Sequence, residues 1–150
     1  MEQPRMPHPT GLAIGDSVEY SRRIEAADIA AFAALSGDDD PVHVDEDFAR
    51  GTAFGRCIAH GAHVMALVSA ASSRMSRRAV RQGCAGTPVS AGYDRIRFLR
   101  PVFAGDTLTA RYAIEALEES PVRSRSRFEV TNQQGETCVV GTHILRFVLA

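Results

Sequence analysis

Cysteine is scarce in this chain: Cys57, Cys84 and Cys138 make an odd set of three, with no CxxC pair among them. That argues against a disulfide framework and reads as reduced thiols in a cytoplasmic protein. Surplus charge is missing as well. Seventeen basic and eighteen acidic residues leave a net charge of −1, which removes any global attraction to nucleic acid or to an anionic membrane. Long apolar runs are absent. The most apolar stretches, IAAFAAL (29–35) and VMALVSAA (64–71), fall far short of the ~20 residues a spanning helix needs. The opening MEQPRMPHPT has no apolar core of the signal-peptide kind. Neither nucleic acid nor membrane is therefore an expected partner.

What is present suits one domain over residues 1–150, with residues 1–10, which hold three prolines, as a loose leader. Hydrophobic residues make up 45% of the chain, enough for a core that needs no staples.

The periodicity changes along the chain. Ser17–Ile24 alternates like a half-buried strand. Ala26–Ser36 has Ile29, Phe32 and Ala33 at helical spacing, with Gly37 as a stop. A short helical piece is expected around Glu46–Arg50. A longer helix runs from His60 to about Arg78, with Val64, Leu67, Val68 and Ala71 as its apolar stripe and small residues all round, which suggests close packing on several sides. Residues 82–90 read as a linker loop. Then the period becomes two: strands over Ala91–Leu99, Thr107–Glu118, Val122–Asn132 and Glu136–Leu149, the last three as an antiparallel meander. The fold class is α+β, helix segregated against an antiparallel sheet.

The unusual stretch is SGDDDPVHVDEDF, Ser36 to Phe48. It holds six of the eighteen acids: Asp38, Asp39, Asp40, Asp45, Glu46 and Asp47. A calcium loop of the EF-hand type fails here, because the fifth and sixth positions from Asp38 are Val42 and His43. No second histidine lies nearby in sequence. Cys57, His60 and His63 have ligand-like spacing, but a polar helix entrance beside a buried thiol accounts for them. No metal is expected. Arg74, Arg77, Arg78 and Arg81 end the long helix as solvated cations that suit its dipole. Arg123, Arg125 and Arg127 alternate on one exposed strand face. Two readings of the acidic stretch remain open. It is a solvated loop with a surface histidine, or Asp38 and His43, stiffened by Pro41, converge on one water and pass protons.

Gly37-Asp38-Asp39-Asp40-Pro41-Val42-His43 resembles the Gly-Asp-x-Asn-Pro-apolar-His motif of MaoC-like (R)-specific enoyl-CoA hydratases. Similar segments flank it in order: Asp28–Leu35, Phe54-Gly55-Arg56, Ile58–Gly61, Arg97–Val102 and Gly105–Leu108. The resemblance spans about residues 12–149. It implies a hot-dog fold, a long central helix wrapped by an antiparallel sheet. It also implies a homodimer acting on an acyl-CoA thioester without a cofactor. Asp38 and His43 match the catalytic pair, and Gly61 the glycine whose N–H faces the thioester oxygen. Asp40, Pro41, His60 and Arg97 match positions around the substrate. One departure stands out: Asp40 replaces the family asparagine, and a carboxylate cannot donate as an amide does. A hot-dog thioesterase and a non-catalytic CoA-ester-binding protein are the rival classes.

Overall fold

The computed structural model describes residues 7–150. In chain order the elements are β1 (Ser17–Arg23), α1 (Ala26–Ser36), α2 (Pro41–Val44), α3 (Glu46–Arg50), α4 (Gly61–Arg81), β2 (Thr87–Phe98), β3 (Thr107–Glu119), β4 (Val122–Thr131) and β5 (Thr137–Val148). The strands form one antiparallel sheet of order β1-β3-β4-β5-β2.

Helix α4 lies on that sheet. Val64, Leu67, Val68, Ala71, Met75 and Ala79 recur at helical spacing and are all buried. They meet Leu108, Ala110, Tyr112 and Ile114 of β3, Phe128 and Val130 of β4, and Leu145 and Phe147 of β5 in one apolar cluster. Each large side chain there contributes about 1.5–3 kcal/mol by leaving water. This is the hot-dog arrangement. The expectation that α4 packs on several sides does not hold for the single chain, since Ala62, Ala66 and Ser69 are exposed on its far side.

Three further expectations are corrected. Strand β2 begins at Thr87, inside the expected 82–90 loop, and Pro88 sits opposite Phe147. Two of the helix-end arginines are not free cations. Arg78 pairs with Asp16 at 2.8 Å, and Arg74 donates to the Glu19 carbonyl while covering the Tyr20 ring, so both tie α4 to the segment around β1. Of the expected loose leader, residues 1–6 lie outside the described residues. Thr10 is fully buried, and the Pro9 carbonyl accepts the Ala85 N–H at 2.7 Å.

Strand β4 does present its arginines outward, paired with acids: Arg123 and Arg125 with Glu118, and Arg127 with Glu115. Among the described residues no helix is long and apolar enough to cross a membrane.

Candidate functional site

The site grows out of the way α1 ends. Its last turn closes on Gly37, whose φ of 80° only glycine adopts without strain, with its N–H on the Ala33 carbonyl at 2.9 Å. The chain turns sharply there and delivers the acidic stretch beside the start of α4.

The carboxylates then divide by role. Asp40 caps α2, its Oδ1 accepting the Val42 N–H at 3.1 Å, and Pro41 is the first helical residue. Asp45 caps α3 through the N–H groups of Asp47 and Phe48. Asp47 pairs with Arg50 at 2.8 Å, and Glu46 accepts the Cys57 N–H at 3.4 Å. Among the described residues Asp38 makes neither a helix cap nor an ion pair. Its Oδ1 takes only a long 3.4 Å contact from the Asp40 N–H.

The single turn of α2 aims His43 inward. Its Nδ1 lies 2.7 Å from the Ile58 carbonyl, an acceptor, so Nδ1 carries a proton and in the neutral ring the lone pair is on Nε2. Against its face, at 3.8 Å between centroids and 27° between planes, lies His60. His60 is 1% exposed, and its Nε2 donates to the Asp38 backbone carbonyl at 2.9 Å. The donor atoms of Asp38, His43 and His60 all lie within 4.8 Å of one another. No second histidine lies nearby in sequence, but the fold brings His60 to His43 across 17 residues of chain. Both imidazoles already spend one nitrogen on a backbone carbonyl.

Gly61 opens α4, where no side chain caps the helix and the first N–H groups are free of intrahelical partners. Gly61 and His43 share a cavity of about 450 Å³, walled mostly by apolar groups including Phe54, Val64, Phe98, Val102 and Val139, with Arg100 at its polar side. The helix dipole and free N–H groups favour negative charge beside Gly61. The Phe98 ring packs so closely on Gly61 that a Cβ there would lie 2.7 Å from it. His43 also borders a second cavity of about 380 Å³ with Glu46, Arg56 and Cys57. Burial pushes the Cys57 thiol up, and burial lowers the pKa of His63, which stacks on Phe32 at 5.4 Å.

Of the residues singled out in the sequence, Asp38, His43, His60 and Gly61 come together. Asp40 and Pro41 serve α2 on the exposed side of the loop. Arg97 is exposed and donates to the Ile96 carbonyl at 2.7 Å, away from the cavity wall, where Arg100 stands instead. The sequence reading passed over Ile58, Phe98 and Val139 as wall residues. The one hint was Phe98-Leu99, an apolar pair exposed at the end of β2.

Residues 10–137 match the MaoC-like domain family. The chain is 35% identical over 135 residues to an (R)-specific enoyl-CoA hydratase of Aeromonas caviae, covering 90% of this chain and 95% of that protein. It is 31% identical to a 3-hydroxybutyryl-CoA dehydratase of Methylorubrum extorquens, covering 86% and 76%. A solved (R)-hydratase from A. caviae, involved in PHA biosynthesis, superposes with a TM-score of 0.75 at 34% identity, covering 91% of this chain and 98% of that one. With the motif, the fold and these relatives in agreement, the chain belongs to the MaoC-like domain family.

Proposed function

We propose that the protein reversibly hydrates a trans-2-enoyl-CoA to an (R)-3-hydroxyacyl-CoA. The observation that carries this reading is the shared cavity. An imidazole with a free Nε2 and the open N-terminus of a 21-residue helix face one apolar space, with an uncommitted carboxylate beside the imidazole. The names of the relatives supply the substrate class.

His43 Nε2 and the Asp38 carboxylate hold the attacking water. The water oxygen bonds to C3 as the C2–C3 double bond opens, and one proton passes through the pair to C2, so water is added across the bond. Electron density moves toward the thioester oxygen during attack, and the Gly61 N–H binds it. The apolar walls hold the acyl chain and keep bulk water out. Dehydration is the same path reversed.

The unit that works is a homodimer. Strand β2 is a sheet edge with Val89 and Phe98 exposed, and α4 shows a row of small residues beside it. Both are surfaces that a second copy would cover.

A panel of short, long and branched enoyl-CoA esters, read by loss of the enoyl absorbance with chiral analysis of the product, tests the reaction. An (R)-3-hydroxyacyl product is expected. Release of free CoA without hydration would put a thioesterase in its place, and tight binding without turnover a non-catalytic binder.

A further inference from the structure

His60 touches all three elements assigned to the reaction. Its ring is stacked on His43 at 3.8 Å, its Nε2 holds the Asp38 carbonyl at 2.9 Å, and it directly precedes Gly61 as the N-cap of α4. It is fixed from behind by Phe32, centroid to centroid 4.8 Å, and is 1% exposed. Its side chain makes no capping bond to its own helix, so helix capping does not explain it.

The two histidines are also locked in opposite tautomers. A carbonyl oxygen only accepts, so His43 must carry its proton on Nδ1 and His60 on Nε2. His60 Nδ1 is then a lone pair, and it has no partner among the described residues. A histidine kept in that form has no spare N–H to offer a thioester oxygen, which argues against a donor role toward substrate.

We propose that His60 is a positioning residue, whose Nε2–H pins the backbone of Asp38 while its ring face seats His43, so that the carboxylate and the imidazole meet the same water. This rests on the reading of Asp38 and His43 as the reacting pair. Its consequence is a defect in turnover rather than in binding, because small misplacements of reacting groups cost rate.

Two substitutions separate the hydrogen bond from the ring. His60→Phe keeps the volume and the stack but loses the donor. His60→Gln keeps an N–H near the Nε2 position but loses the ring. With an enoyl-CoA substrate, His60→Phe is expected to lower kcat by about 10- to 100-fold while KM changes little. His60→Gln is expected to recover part of that loss. A His60→Phe enzyme that turns over within a factor of about two of the parent, or one whose whole defect lies in KM, overturns the proposal.

If either variant fails to fold, nitrogen NMR of the imidazoles in the unmodified protein decides. An Nδ1–H tautomer at His60 would leave Asp38 unpinned and sink the idea. The underlying reading fails separately: Asp38→Asn and His43→Gln would then keep turnover whatever His60 does.

Discussion

The hydroxyl of Tyr112 lies 2.7 Å from Nδ1 of His143, and both side chains are completely buried. Ser90 closes the other side, its Oγ 2.7 Å from His143 Nε2, and Tyr93 lies over the ring at 4.6 Å. Neighbouring Ser124 and Ser126 are buried too. A polar chain thus links β3, β5 and β2, passing over β4. None of these side chains lines the cavity that His43 and Gly61 share, so the effect is expected in stability.

Burial lowers His143 to about 4 and pushes Tyr112 up to about 12. An unfolded histidine titrates near 6.5, so between about 6.5 and 4 the unfolded chain binds a proton that the folded chain refuses. Stability is therefore complete above about pH 6.5 and falls as the pH drops toward 4. The loss from this group is expected to reach about 2–3 kcal/mol near pH 4.5. Urea unfolding across pH 4.5–7.5 measures it. Replacing His143 with Gln should destabilise the protein at pH 7.5 and flatten the acid slope by roughly one proton. An unchanged slope would place the titration elsewhere.

Gly61 and Phe98 make a second test. The methyl of Gly61→Ala would collide with the far edge of an exposed ring that can swing away, so stability is expected to change by no more than about 1 kcal/mol. Both residues border the cavity, so activity is expected to fall tenfold or more, about what a misplacement near 1 Å costs. Adding Phe98→Ala removes the collision but leaves the methyl beside the substrate, and turnover should stay low. Recovery in the double variant would show that glycine is there only to accommodate the ring.

How far the sequence could be read depends on the kind of contact. The stripe of α4 and the alternation of β3 and β4 are local patterns, and burial follows them closely. The start of β2 was hidden by Gly83, Gly86 and Pro88, which read as a loop. Proline is tolerated there because β2 is an edge strand whose outer side needs no donor. The buried polar chain was legible but passed over, since His143 falls in step with Val139, Leu145 and Phe147 on the inward face of β5. Asp38 and His43 share one motif and were legible together. His60 was placed near the substrate by resemblance, but its stack on His43 and its bond to Asp38 are tertiary contacts that no local pattern encodes.

Asp40 separates a capping role from a chemical one. Its Oδ1 accepts the Val42 N–H, and an asparagine can offer an oxygen at the same place. Asp40→Asn, which restores the residue of the family motif, is expected to leave stability and turnover within about twofold of the parent. Asp40→Ala removes the cap and should cost about 1 kcal/mol in urea unfolding, loosening the turn that carries His43. If Asp40→Asn instead moves the pH–rate profile, the carboxylate acts on the reacting pair.

The last prediction concerns Asp38 and His43 together. Asp38→Asn keeps the shape of the side chain and removes its charge. His43→Gln removes the imidazole, whose Nδ1 is held by the Ile58 carbonyl, and with it the Nε2 lone pair of the neutral ring. If the two pass one proton between water and C2, each change should cost about 10²–10⁴ in turnover. The double variant should be little worse than either single one, because half of a proton-transfer unit does not work alone. Binding of an unreactive CoA ester should survive in all three, since neither side chain is assigned to hold the CoA moiety, and calorimetry can read that directly. Near-normal hydration by both single variants, with the fold intact, would return the acidic stretch to the simpler account that residue types allowed. Asp38 would then be a solvated carboxylate, His43 a buttress for the Ile58 loop, and the chemistry would belong to the N-terminus of α4 and groups yet to be tested.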